Sequence, residues 1–193
     1  MKRVVPSILA ILLLIPAIAP GAPTSAPDRR LSPADVSALP SFVQRVEPAV
    51  VGLRVRNAES AASSARLGSR RFGSAVIFDA RGYALTVSYL LLDAVEIEAR
   101  GRDGRAVPAQ VVGLDLDTGL GVVKLEGDGP WPVATLGDSR AVATGARTGT
   151  VGVDEDNDLV QVTGSVNAIR RFSAYWEYML DRAIIVAPAS PQW

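Results

Sequence analysis

The residue types that most often perform catalysis are scarce in this sequence. Its 193 residues include no histidine and no cysteine, and its lysines are Lys2 and Lys124. Histidine is the usual general base and metal ligand near neutral pH, and cysteine is the usual thiolate nucleophile and zinc ligand. The composition therefore excludes thiolate catalysis, disulfides and the commonest metal sites, and we predict neither a cofactor nor a metal.

An active site without histidine would have to use other groups, and Lys124 is the one lysine outside the N-terminal segment. A Ser–Lys site needs a desolvated lysine beside a serine. Because Lys124 directly follows the apolar residues 120–123, we predict instead that it ends a strand and faces water.

Acidic residues form two groups that could bind cations or transfer protons. Residues 154–158 superficially resemble a calcium loop, but Leu159 stands where an EF-hand needs glycine, so we predict a solvated hairpin turn. Asp115 and Asp117, and similarly Asp138, are more typical of turn and capping chemistry than of acid–base catalysis.

Aromatic residues and arginines cluster near the end of the chain. Binding of nucleic acid would need a basic field, but acidic and basic side chains balance at 20 each, so we predict no nucleic-acid partner. Two alternatives stay open for the cluster, core packing and an exposed protein contact. The aromatic cluster consists of Phe172, Tyr175, Trp176 and Tyr178, flanked by Arg170, Arg171 and Arg182.

The polar and basic residues 57–71 lack an apolar period and are predicted to form a solvated surface loop.

Residues 1–21 have the order of a secretory signal. Lys2 and Arg3 precede an apolar run over residues 4–19, and small, turn-forming residues follow. The run is shorter than a typical membrane-spanning helix and contains prolines. We predict a signal peptide or an uncleaved N-terminal anchor, a linker over residues 22–31, and an exported protein of the periplasm or cell envelope. Membrane contact would involve only an uncleaved N-terminal segment.

After residue 31, the spacing of apolar residues changes from a helical period to a period of two. A short helix is predicted to begin at Ser32 and to be broken or kinked at Pro40. Within residues 49–56, Val51, Leu53 and Val55 share one face, which is typical of a half-buried strand. Similar short runs between glycine- and aspartate-rich turns predict an all-β antiparallel barrel or sandwich. The further predicted strands are 75–78, 83–86, 95–99, 107–114, 120–125, 133–136, 148–153, 159–163 and 165–169, with short helices at 90–94 and 174–180.

Several short motifs occur in a defined order along residues 43–171. They include VEPAVV at 46–51, GSAVI at 73–77, GYALT at 82–86, DGR at 103–105, LGVVK at 120–124, LGDS at 136–139 and TGSV at 163–166. Each motif is common alone, but their shared order and spacing resemble the protease domain of the HtrA (Deg) group of trypsin-like serine proteases. The resemblance implies an all-β, trypsin-like double β-barrel with a short N-terminal helix. Its first barrel would span residues 48–126, and an incomplete second barrel would span residues 131–193.

The catalytic positions of the resembled family are changed in this chain. The family histidine aligns with Tyr89, whose phenol is protonated at neutral pH and accepts a serine proton poorly. The family aspartate aligns with Gly119, which has no side chain. The segment after Leu180 resembles the approach to the catalytic serine, but the sequence reaches Trp193 without the family's Gly-Asn-Ser-Gly-Gly loop, so this serine is absent or lies beyond Trp193. The resemblance thus implies that no triad position is intact.

These departures predict a catalytically inactive HtrA-like pseudoprotease of the cell envelope. Its protease-type domain would span residues 32–193 without the PDZ domain usual in the family, and its partner would be a polypeptide or an envelope protein. The alternative is a trypsin-like serine endopeptidase of protein quality control, of which this chain is an N-terminal fragment. A third alternative is a degraded gene product with no selected function. The sequence leaves all three open and does not define the oligomeric state.

Overall fold

The computed structural model describes residues 39–173 and 179–188. Their first part forms a closed, six-stranded antiparallel barrel with the spatial order β1-β2-β3-β6-β5-β4. Hydrophobic side chains at alternate positions fill the barrel, and Leu53, Ala84 and Val123 have no exposed surface. The strands are β1 (Val50–Asn57), β2 (Arg70–Asp79), β3 (Tyr83–Val87), β4 (Ala94–Arg100), β5 (Ala106–Asp115) and β6 (Leu120–Leu125).

A three-stranded antiparallel sheet follows the barrel. Its strands are β7 (Arg147–Val153), β8 (Leu159–Ser173) and β9 (Met179–Ala187), in the order β7-β8-β9. A small apolar cluster around Val166, Ile184 and Val186 packs on this sheet. The architecture confirms the prediction of an all-β fold with one complete barrel and an incomplete second one.

Helical segments are short. They are α1 (Ser41–Val46), α2 (Ala62–Leu67) and α3 (Ser88–Leu91), with single 3-10 turns at Glu47–Ala49 and Ser139–Ala141. As predicted, no helix continues through Pro40; α1 begins at the next residue, and the Pro40 carbonyl accepts the N–H groups of Val43 and Gln44. The predicted signal, the linker and the predicted helix start at Ser32 lie outside the described residues. Among the described helices, none has the length and apolar character needed to cross a membrane.

Two strand predictions are wrong. Residues 133–136 form no strand, because only Ala134 packs into the core, and its N–H donates to the carbonyl of Ile77 at 2.8 Å. Strands were predicted to break at Gly164, but β8 runs through this residue. A Cβ there would lie 2.1 Å from the carbonyl oxygen of Ala187 in β9, so the glycine permits close strand approach and does not form a turn.

The acidic turn between β7 and β8 contacts the barrel. As predicted, residues 154–158 form a hairpin turn, closed by the N–H of Asp154 donating to the carbonyl of Asp158. Glu155 and Asp156 are exposed, as predicted for a solvated turn, but two carbonyls of the turn are bonded to arginines of the barrel. Arg54 donates to the carbonyl of Glu155 at 2.5 Å, and Arg102 donates to the carbonyl of Asn157. These bonds attach the second sheet to the first barrel.

Candidate active site

The junction of β3 and α3 lies beside the turn between β5 and β6. Ladder pairing places Val87 opposite Leu120, and the next N–H, that of Ser88, donates to the carbonyl of Gly119 at 2.8 Å. Tyr89 follows Ser88 directly in α3. The structure therefore brings Tyr89 and Gly119, the two residues that the sequence resemblance assigned to triad positions, to one corner of the barrel.

Packing determines which side chain of α3 reaches solvent. Ser88, Leu90 and Leu91 are buried, whereas the Tyr89 side chain is 37% exposed. Gly121 in β6 leaves room for this packing, since a Cβ at that position would lie 2.7 Å from Leu91. The corner thus presents a phenol to solvent from a well-anchored helical turn.

A buried arginine supports α3 from inside. Arg71 is 7% exposed, and its Nη1 donates to the carbonyls of Tyr89 at 2.5 Å and Leu92 at 3.1 Å. Its Nη2 donates to Ser63 Oγ at 2.8 Å, and that hydroxyl donates to a carboxylate oxygen of Asp93 at 2.6 Å. Burial lowers the pKa of the Arg71 guanidinium, and the Asp93 charge opposes this shift. Arg71 is a positioning residue for the turn that carries Tyr89.

Sequence reasoning missed this role, because it predicted a solvated loop over residues 57–71. That segment contains α2, and β2 begins at Arg70. The alternation along β2 was a usable signal for the burial of Arg71. Arg71 is separated by an even number of residues from Ala75 and Ile77, which face inward, and it lies opposite the buried Val55. Extending the period of two backwards along β2 would have placed Arg71 inside.

The turn that carries Gly119 is stabilised by its own aspartate. Asp115 Oδ1 accepts the N–H of Asp117 at 3.0 Å and that of Thr118 at 3.3 Å. The neighbouring Thr118 side chain and the backbone N–H groups of Thr118 and Asp117 lower the pKa of Asp115. Gly119 has φ +74°, the left-handed region that closes the turn. The predicted turn role of Asp115 is confirmed.

Lys124 lies at the other end of β6 from this corner. It pairs with Tyr83 in the β3–β6 ladder, whereas Leu120 pairs with Val87 next to α3. Four strand residues at about 3.3 Å each separate the two ends by about 13 Å. The ammonium donates to the carbonyl of Leu125 at 2.7 Å and lies 5.9 Å from the centre of the Tyr83 ring. Lys124 is a strand-end lysine, as predicted, and does not enter the Tyr89 corner.

The other predicted residues contribute no catalytic group at this corner. Asp138 caps a 3-10 turn by accepting the N–H of Arg140 at 2.9 Å, and the Arg140 side chain lowers the pKa of its carboxyl. Phe172 lies in β8 opposite Leu180, whereas Tyr175, Trp176 and Tyr178 of the aromatic cluster lie outside the described residues. The same is true of residues 189–193, and most of the helix predicted at 174–180 is likewise undescribed, although its final residues Met179 and Leu180 belong to β9. Within the described ranges, no group of three or more acidic side chains is arranged to hold a metal ion.

Comparison with known proteins identifies the fold and its relatives. Residues 73–193 match the family model of the trypsin-like peptidase domain. Serine endoprotease DegS of Salmonella typhimurium is 38% identical over 98 residues, which are 51% of this chain and 27% of that protein. Serine protease Do-like HtrA of Bacillus subtilis is 28% identical over 152 residues, which are 71% of this chain and 33% of that protein.

Solved structures agree with these relatives. The HtrA-type protease AlgW with tripeptide matches with a TM-score of 0.60 and 31% identity, over 70% of this chain and 41% of that chain. A variant of AlgW with a decapeptide matches with a TM-score of 0.61 and 27% identity, over 74% of this chain and 48% of that one. The chain spans less than half the length of each of these proteins. Its sequence and its barrel together make it a member of the HtrA-type family of trypsin-like proteases.

Proposed function

We propose that the chain is a catalytically inactive HtrA-like pseudoprotease of the cell envelope that binds polypeptides or serves as an assembly or regulatory module. One observation carries the proposal. The corner at the β3–α3 junction keeps a firm backbone arrangement, held by the bond between Ser88 and Gly119, but presents a tyrosine and a glycine where a base and its orienting carboxylate would be needed.

The chemistry of these two residues argues against serine-type proteolysis. A serine nucleophile must lose its proton to a base near neutral pH, and a phenol is a donor at that pH. Gly119 offers no carboxylate to orient or stabilise a protonated base. Binding a polypeptide needs neither group, since backbone and apolar contacts suffice.

Two assays on the purified full chain test inactivity. We expect no turnover of casein and no labelling by a fluorophosphonate probe under conditions in which a catalytically active HtrA-type protease does both. Casein turnover that a serine-directed reagent abolishes would overturn the proposal. A binding assay completes the test: fluorescent, unfolded casein should associate with the chain and stay intact. A chain that neither binds nor cleaves casein would also contradict the proposed function.

The proposed location rests on the signal-like residues 1–21 and on relatives described as periplasmic, including a DegP-like endoprotease of Halomonas elongata that is 33% identical over 102 residues. Fractionation of the source cells tests it. Recovery of the protein with the periplasm or envelope is expected, and recovery with the cytoplasm would contradict it.

An N-terminal part of a longer serine endopeptidase is the second candidate. It is favoured by the short span of the match, which covers 27% of DegS and 33% of the Do-like HtrA. The intact mass of the native protein discriminates between the candidates. A mass equal to that of a chain ending at Trp193, with or without signal removal, supports the pseudoprotease, and a heavier chain containing a Gly-Asn-Ser-Gly-Gly loop supports the endopeptidase.

A further inference from the structure

The second half of β5 is unusually exposed for a barrel strand. Val111, Val112, Leu114 and Leu116, at the end of β5 and in the following turn, are exposed by 40, 54, 39 and 58%. We call these four residues the β5 apolar edge. Large apolar side chains grouped in this way on a folded surface are typical of sites that contact another molecule.

Strand pairing explains the exposure. On one side, β6 pairs with β5 as far as Asp115. On the other side, the β4 ladder ends where Glu98 lies opposite Pro108. Within the described residues, the backbone of β5 from residue 109 to 115 therefore has no ladder partner on its β4-facing side. Unpaired N–H and C=O groups along a strand are a template for another extended chain.

Two side chains of the β5 apolar edge, those of Val111 and Leu114, are oriented toward the barrel interior. Val111 lies opposite Val123, which is fully buried, and Leu114 lies opposite Gly121. Both therefore have the inward orientation of core residues, although about two fifths of each is exposed. A bulge leaves Val112 without a partner in β6 and adds a further apolar side chain. A strand added along β5 would cover these residues.

Charge at the end of the edge adds selectivity. Asp115, the last residue of β5, and Asp117 in the following turn are exposed, and in the described part of the chain neither carboxylate forms an ion pair. Negative charge at this end favours an incoming segment with a lysine or arginine beside the turn and disfavours one with an acidic residue there.

We propose that the free edge of β5 binds an extended polypeptide segment by β-strand addition, selecting apolar side chains at alternate positions and a basic residue next to Asp117. This inference specifies a site for the polypeptide binding proposed above. It lies on the first barrel and is formed by β5, not by the Tyr89 side chain.

Fluorescence anisotropy with the full chain tests the site. The probe is the labelled peptide Lys-Thr-Val-Thr-Val-Thr-Val, compared with the same peptide carrying N-methyl groups on alternate backbone amides and with a version in which glutamate replaces lysine. Val112→Lys charges the edge at an exposed position. Val133→Lys is the matched control, because Val133 is also exposed, by 40%, and lies outside β5.

We expect Val112→Lys to weaken binding of the lysine peptide by about ten-fold or more and Val133→Lys to change it by less than about two-fold. Asp117→Asn should weaken it by about two- to five-fold, as expected for an exposed ion pair, and the glutamate peptide should bind less tightly than the lysine peptide. N-methylation should abolish binding. This last comparison uses the unaltered protein and so does not depend on the folding of any variant.

Three results would overturn the inference. Equal binding to the wild type and to Val112→Lys would reject the β5 site while leaving polypeptide binding elsewhere intact. Binding unaffected by N-methylation would reject strand addition. A dimer in sedimentation analysis that Val112→Lys dissociates, without peptide binding, would identify a second copy as the occupant. Cleavage of the peptide would instead refute the proposed inactive function, and the Val112→Lys comparison would still test the site.

Discussion

Replacing the buried Arg71 with methionine should destabilise the fold by about 2–4 kcal/mol. Hydrogen bonds from a charged donor contribute about 1.5–3 kcal/mol each. The substitution removes such donors from the carbonyls of Tyr89 and Gly68. The carbonyl of Leu92 retains the Asn57 amide as a donor, so its loss is small. Removal of a partly desolvated charge offsets some of the cost, which gives the expected net range.

Urea unfolding followed by circular dichroism measures this effect, and the chain offers a matched control. Arg70 is the neighbouring residue in β2 but is exposed, so Arg70→Met should change the free energy of unfolding by less than about 0.5 kcal/mol. Arg71→Lys keeps the charge but lacks the planar fork that reaches several acceptors, and should have an intermediate effect.

Hydrogen exchange shows where in the fold the Arg71→Met variant loses stability. Because Arg71 supports α3, the N–H of Ser88 that donates to Gly119 should exchange faster in Arg71→Met than in Arg70→Met. Equal stability of the two methionine variants, with equal exchange at Ser88, would refute the supporting role assigned to Arg71.

Two further predictions concern the first barrel. Hydrogen bonds from Arg81 lower the pKa of Asp79 to about 2, so this contact stabilises the fold above about pH 4 and its contribution is lost as the pH falls toward 2. In Arg81→Gln, an NMR titration should find the Asp79 pKa raised toward 4, and an unchanged value would contradict the assigned cause. Gly82 has φ +94°, and a Cβ there would lie 2.7 Å from the Trp131 indole nitrogen. Gly82→Ala should therefore cost about 1–2 kcal/mol more than Gly104→Ala, where φ is +80° but space is open; equal costs in urea unfolding would exclude the Trp131 contact as a cause.

Much of the fold could be predicted because most strands here alternate inward and outward residues. The prediction for β6, residues 120–125, matches the structure, and the prediction for β1 is displaced by one residue. Glycine caused the main error in β8. The structural role of this glycine depends on a neighbouring strand, because Gly164 accommodates the carbonyl of Ala187. A contact between residues that are distant in the chain is not visible in the local sequence.

The family resemblance assigned Tyr89 and Gly119 to two triad positions, and the β3–β6 ladder accounts for their proximity in the structure. The role of Arg71 was missed because charge and a polar neighbourhood indicate solvent exposure, although the period of two along β2 places this residue inside. An arginine with several carbonyl acceptors can be buried without a directly bonded carboxylate, and those acceptors come from α3 and from the loop before β2.

Buried side chains and backbone hydrogen bonds anchor the corner. Its anchors are buried neighbours such as Leu90 and Leu91, the guanidinium of Arg71, and a bond from the backbone of Ser88 to the carbonyl, not the side chain, of Gly119. Loss of Arg71 or Leu91 should therefore disturb this corner more than a substitution at the partly exposed position 89.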